Sequence, residues 1–292
     1  MQRDRVYAPH RAVGTGVANF RAEYDEWARA AEQALHHARL AGQHQTDLFR
    51  LPDSLFLGSR PADEALRALD TVLPEPPHPS SLLWQAVLLA MLGRFDEARP
   101  LAAEAGRRLR ELTGDAAGGF MLANVAHCAG DDETAVHELR QYCDLLQERG
   151  LRFQLSTYAP MLGRLLCRLG RHDEAVPLVD LARTLGDEQD VLTQMFWRQT
   201  QALICSNEGE HAEAEALARE AVAIARTTDG LNGHGDALCD LAEVLHAAGR
   251  TREAAAAFVQ ALECYEQKKN VALARLARER LTALQPAGGS RA

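Results

Sequence analysis

Asp131-Asp132-Glu133 is the run most able to hold a divalent cation. A magnesium site of the isoprenoid-synthase kind needs D-D-x-x-D, and that frame fails at Ala135. The run reads instead as the capped, acidic N-terminus of a helix. His36 and His37 are adjacent, so on a helix they point about 100° apart and cannot share a metal well. Lys268 and Lys269 are the only lysines, and neither stands in the G-x-x-x-x-G-K-[ST] frame that cradles a triphosphate. Gly14-Thr15-Gly16 is a fragment of a glycine-rich loop with no strand before it. The six cysteines form no C-x-x-C, which argues against a zinc site or a redox motif and for small apolar residues in a reducing compartment. No nucleophile elbow or cysteine-protease signature is present. The sequence thus predicts a protein that is not an enzyme, with no metal and no cofactor.

The elements around these residues are helical. Hydrophobic residues make up 47% and charged residues 25%, the balance of a soluble globular chain, and only 5% are aromatic. A net charge of −9 disfavours nucleic acid as the main partner. The positive charge is almost all Arg, which reads as the codon bias of a GC-rich genome. No apolar run reaches the roughly 18 residues that cross a bilayer, and no signal-peptide core follows Met1, so no membrane role and a cytoplasmic location are expected.

The organising pattern is a glycine-centred junction. Leu165-Leu166-Cys167-Arg168-Leu169-Gly170-Arg171-His172-Asp173-Glu174-Ala175 reads as a helix end, a turn and a new helix start. Related junctions centre on Gly93, Gly130, Gly209 and Gly249, each with an Ala five residues later, at spacings of 37, 40, 39 and 40 residues. A fixed period in this range marks stacked repeats rather than one compact core. First helices are expected over 80–92, 117–129, 154–169, 190–208 and 233–248. Second helices are expected over 94–112, 132–149, 172–185, 211–227 and 251–267. Ahead of them stand a helix over 20–41 and a weaker one over 44–57 interrupted at Pro52; a closing helix spans 270–284. Residues 1–19 form a loose arm, 20–284 a single solenoid, and 285–292 a tail.

Small residues recur in register: seven before each Gly stand Ala86, Ala123, Gly163, Ala202 and Ala242, and twelve after it Ala105, Tyr142, Ala182, Ala221 and Ala261. With the Ala at plus five, these offsets resemble the close-contact positions of the tetratricopeptide repeat, where paired helices approach and bulk would force them apart. Tyr142 departs from the pattern and predicts irregular packing in the second full repeat, and the period exceeds the standard 34 residues. The resemblance implies an all-α, right-handed superhelical solenoid of antiparallel helix pairs. The chain as a whole resembles the C-terminal repeat region of large bacterial ATPase/cyclase-type or DNA-binding transcriptional regulators. Nothing resembling their catalytic or DNA-binding domains is present, so those activities do not carry over.

In that family, the first-helix stripe at thirteen, ten, six and three residues before the Gly lines the concave groove. Its candidate ligand-binding residues here are Phe120, Asn124, His127, Thr157, Arg164, Phe196, Gln199, Asp236, Glu243 and His246. An exposed Arg164 among apolar neighbours would suit a ligand carboxylate. The Lys/Asn set of the carboxylate-clamp subfamily is absent, which disfavours a chaperone C-terminus. The leading expectation is a scaffold that binds a protein or peptide partner, in bacterial signalling or transcriptional regulation. The alternative is a sensor whose groove binds a small effector. An oligomer is compatible with the sequence.

Overall fold

The computed structural model describes residues 22–40, 50–73 and 76–284. The arm assigned to 1–19, the tail at 285–292, Gly14-Thr15-Gly16 and residues 44–49 lie outside the described residues. The described chain is all-helical: α1 (Tyr24–Leu40), α2 (Arg50–Leu57), α3 (Ala62–Val72), α4 (Pro79–Met91), α5 (Phe95–Thr113), α6 (Gly119–Cys128), α7 (Asp132–Glu148), α8 (Arg152–Arg168), α9 (His172–Leu185), α10 (Val191–Asn207), α11 (His211–Ala225), α12 (Leu231–Ala247), α13 (Thr251–Lys268) and α14 (Val271–Ala283). From α4 onward, adjacent helices pack in pairs. Pro52 does not interrupt α2; it sits in the first turn, where its missing N–H deprives no carbonyl of a partner.

All five junction glycines adopt positive φ, from +74° to +86°. The residue after each donates its N–H back to the carbonyl five residues earlier: Arg94 to Leu89, Asp131 to Ala126, Arg171 to Leu166, Glu210 to Cys205 and Arg250 to Leu245. This is the Schellman closure of a helix C-terminus, which requires the left-handed conformation that glycine adopts without penalty. The next helix then starts within one or two residues, so the chain doubles back sharply.

The small positions are where the pairs meet. Ala98, Ala135, Ala175, Ala214 and Ala254 are all fully buried. At Gly163 a Cβ would lie 2.9 Å from Thr200 Cγ2 and 3.5 Å from Ala175 Cβ, so α8 is wedged between its partner α9 and the next repeat. Tyr142 is accommodated by a local change of length. α6 begins only at Gly119, where a Cβ would come within 2.6 Å of the Glu138 carbonyl oxygen and 2.8 Å of Tyr142 Cβ. The phenol ring then packs on Tyr158, centroid to centroid 5.1 Å.

One feature departs from an open superhelix: the last repeat touches the first. Lys268, fully buried at the end of α13, donates three hydrogen bonds across the gap, to the carbonyls of Leu55 (2.8 Å), Gly58 (2.6 Å) and Arg60 (2.8 Å). These carbonyls lie at and beyond the C-terminus of α2, where a cation complements the helix dipole. Burial pulls the amine down from 10.5 to about 7, opposed by Asp25, and the three acceptors favour the ammonium that can fill all of them. Beside it Lys269 pairs with Asp63 at 2.8 Å. Asp229, between α11 and α12, caps the start of α1 by accepting from the backbone N–H of Tyr24 (2.9 Å) and Asp25 (2.7 Å). Gly58 is required at this seam, because a Cβ there would fall 2.5 Å from Asp25 Oδ1 and 2.9 Å from the Ser54 carbonyl oxygen. α14 covers the last pair as a closing helix should, and it also packs against α4. The solenoid is closed into a ring.

Candidate functional site: an enclosed chamber in the ring

Ring closure converts the concave groove into interior. Leu83, Val87 and Ala90, which stand ten, six and three residues before Gly93 on the same stripe, are fully buried. What remains is a cavity of about 270 Å³ walled by residues from α1, α2, α4, α6, α8, α10, α12 and α14.

Six of the ten residues singled out from sequence line it: Phe120, Asn124, His127, Thr157, Phe196 and Asp236. Four do not. Arg164 is only 7% exposed and is spoken for: Nε donates to Asp240 Oδ2 at 2.5 Å, and an Nη lies 3.5 Å from Asp236 Oδ1. The carboxylate it was expected to receive from a ligand comes from α12 of the same chain. Burial works against its charge, but Asp236 and Asp240 more than offset this and hold the guanidinium well above its usual range. Gln199 is fully buried rather than on the wall, and neither amide atom has a partner among the described residues. Glu243 and His246 belong to a separate, outward depression of about 850 Å³, where Glu243 is ion-paired with Arg280 of α14. The stripe residues on this wall come from α6, α8, α10 and α12, whereas Arg164 and Gln199 are buried off it and Glu243 and His246 lie in the second depression.

The wall also contains residues that periodicity did not nominate, above all Tyr24, Trp27, Phe56, Trp84, Tyr158 and Asp190. Half of the chain's Phe, Trp and Tyr side chains stand in this one wall, although such residues are only 5% of the sequence. Their rings are contiguous: Phe56 to Trp84 at 5.3 Å, Trp84 to Phe120 at 6.0 Å and Phe120 to Tyr158 at 4.9 Å. The aromatic scarcity noted in the sequence was the available signal, because rare residues gathered from distant positions mark a shared surface. What hid it is that Tyr24 and Trp27 come from α1, which meets Val191 and Leu192 at the start of α10 only through the closure of the ring.

The polar groups of the wall are mostly fixed. His127 Nδ1 is 2.6 Å from Asp132 Oδ1, and Arg168 Nε donates to Asp132 Oδ2 at 3.0 Å. Burial pushes Asp132 up, but His127 and Arg168 outweigh it and hold the carboxyl well below its ordinary range. Asp190 caps α10, accepting from Thr193 N–H (3.3 Å) and Thr193 Oγ1 (2.7 Å), and Thr157 is hydrogen-bonded to that same Thr193 hydroxyl at 2.9 Å. Burial pushes the Cys128 thiol up to about 12, so it stays protonated and is no nucleophile. Tyr24 Oη and Trp27 Nε1 are buried without a partner among the described residues. No cluster of metal-ligating side chains occurs among the described residues.

The tetratricopeptide-repeat family model matches residues 194–267, which run from α10 through α13. No curated protein matches the chain. Among solved structures, the chain is similar to one in the crystal structure of the APC/C hetero-tetramer Cut9–Hcn1, with a TM-score of 0.61 and 11% identity over 92% of this chain and 51% of that chain. It thus spans about half the length of that structure's chain. It is also similar to a tetratricopeptide repeat protein from Parabacteroides merdae ATCC 43184 (TM-score 0.45, 13% identity, 90% of this chain and 94% of that one) and to yeast Tom70 (0.41, 13%, 97% and 67%). At these identities the likeness concerns the fold. Residues 194–267 thus match the tetratricopeptide repeat, within a chain whose described residues form an all-helical repeat fold.

Proposed function

We propose that the chain is a non-catalytic scaffold that binds a protein or peptide partner in a bacterial signalling or transcriptional pathway, in the cytoplasm. The repeat fold supports the scaffold reading, since stacked helix pairs present a long continuous surface. The ring closure carries the choice of face. With the inner face narrowed to this small chamber, a partner engages the outer second helices α5, α7, α9, α11 and α13. Exposed ion pairs link successive members of that row, Arg140 to Glu174 and Arg171 to Glu133 among them. Such pairs add little stability but give the surface a defined charge pattern that a partner can read. The test is affinity capture on the immobilised chain, followed by titration of the captured protein against wild type and an Arg140→Glu/Arg171→Glu variant. The reading requires stoichiometric binding that weakens at least fivefold on charge reversal. A partner indifferent to the outer face, but lost on substitution of the chamber wall, would contradict it.

A second reading is favoured by one observation, the chamber itself. Its 270 Å³ is too small for a folded partner and near the lower end of cavities that hold small molecules. On this reading a small effector sits in the ring and sets the ring's geometry for the partner outside.

A further inference from the structure

The chemistry of the wall defines what fits it. Its charged side chains are Asp53, Asp190 and Asp236, and it contains no Lys or Arg. That is unusual in this chain, where Arg residues decorate almost every helix. Arg164 stands beside Asp236 and is bound to Asp240, leaving two acids against one base. Asp236 also accepts the Tyr265 hydroxyl at 2.7 Å. Asp190 is 3% exposed and accepts from the neutral donors of Thr193; among the described residues no basic side chain pairs with it. His127, the one wall imidazole, is turned to Asp132.

Around these carboxylates lies the contiguous aromatic surface of Phe56, Trp84, Phe120 and Tyr158. Ring faces are electron-rich, and attract a cation when water is excluded. An anion placed here would face the Asp190 carboxylate and the ring quadrupoles, with no Lys or Arg among the described wall residues to offset them. A neutral apolar molecule would add nothing to the helix-cap bonds that Asp190 receives from Thr193. Phe153, on the wall and 40% exposed, marks where the chamber reaches solvent at the start of α8. A dry cavity of about 150 Å³ holds a benzene-sized molecule, so this one takes on the order of ten non-hydrogen atoms.

We propose that the chamber is a binding site for a small organic cation, an amine or quaternary ammonium carried on an apolar or aromatic body, with the charge at Asp190 and Asp236 and the body on Trp84 and Phe120. This rests on the effector reading of the chamber, and the experiment separates the two.

The probes are phenyltrimethylammonium, its neutral carbon isostere tert-butylbenzene, and benzenesulfonate as the anion of similar size. The readout is tryptophan emission in a Trp197→Phe background, because Trp27 and Trp84 then report from the wall alone. The cation should give a saturable change, at least tenfold tighter than tert-butylbenzene, with no saturation by benzenesulfonate. Asp190→Asn keeps a cap-competent side chain, so helix content and melting temperature should hold while the tenfold preference disappears. Equal binding of the neutral isostere, preference for the anion, or an unchanged preference in Asp190→Asn would overturn the cation assignment and leave the chamber a binding site. If no probe binds and none shifts the melting temperature, the effector reading falls as well.

Discussion

Lys268 donates its ammonium to the carbonyl of Gly58 at 2.6 Å, across 210 residues of sequence, and so ties the last repeat to the first. Two further carbonyls, of Leu55 and Arg60, complete its three bonds. In a chain whose cations are nearly all Arg, this position holds one of the two lysines. The geometry explains it: a compact tetrahedral donor fits a pocket of three converging carbonyls, whereas a planar guanidinium does not.

Lys268→Met should therefore lower stability by about 2–4 kcal/mol, since buried carbonyls are left without donors. Lys268→Arg should not rescue it. Urea midpoints for the three proteins check both statements. An Arg variant as stable as wild type would mean that charge alone, not donor shape, holds the seam.

Arg164→Ala should cost about 3–5 kcal/mol, because Asp240, 2% exposed, keeps its charge with no partner. The sequence alone suggests the opposite, a near-neutral change at an exposed groove residue. Adding Asp240→Leu to Arg164→Ala should recover much of the loss, which denaturation of the single and double variants measures.

Ala175→Leu should destabilise by about 1–3 kcal/mol through overpacking against Gly163, while Arg171→Ala, in an exposed ion pair with Glu174, should stay within about 0.5 kcal/mol. Equal shifts of the urea midpoint would contradict the pairing of α8 with α9.

Asp132 gives a pH dependence of known sign. Its carboxyl is held below the ordinary value of 3.8 by His127 and Arg168, so the unfolded chain binds its proton more readily than the folded one. The stabilisation is complete well above pH 3.8 and is lost as pH falls through that value toward the folded one. Asp132→Asn should flatten this part of the stability curve between roughly pH 5 and 2. A curve as steep as wild type would place the acid sensitivity elsewhere.

The repeat unit was legible because it is local. Gly170 and its counterparts, the Ala at plus five and the acidic first turns each act within one helix pair, and the observed helices from α4 onward begin and end within two residues of their expected bounds. The ring was not legible, because its determinants are single residues with no periodicity. Lys268, Gly58 and Asp229 acquire meaning only when α1–α3 meet α12–α14. The candidate site divides the same way. Phe120, Asn124 and Thr157 follow from register on their own helices, whereas Tyr24 enters the wall by closure, and Arg164 is bound by an aspartate 76 residues away.

The closed ring requires that the first and last repeats be in contact. Lys269, on the exposed side of the seam, pairs with Asp63 at 2.8 Å, and the chain has no lysines beyond 268 and 269. Zero-length carbodiimide coupling of dilute monomer, read by peptide mass spectrometry, tests this contact directly. A closed ring predicts an intramolecular amide between Lys269 and Asp63, reduced in Lys268→Met. Coupling of Lys269 only to its own helix neighbour Glu266, with none to Asp63, would show an open superhelix and contradict the enclosed chamber.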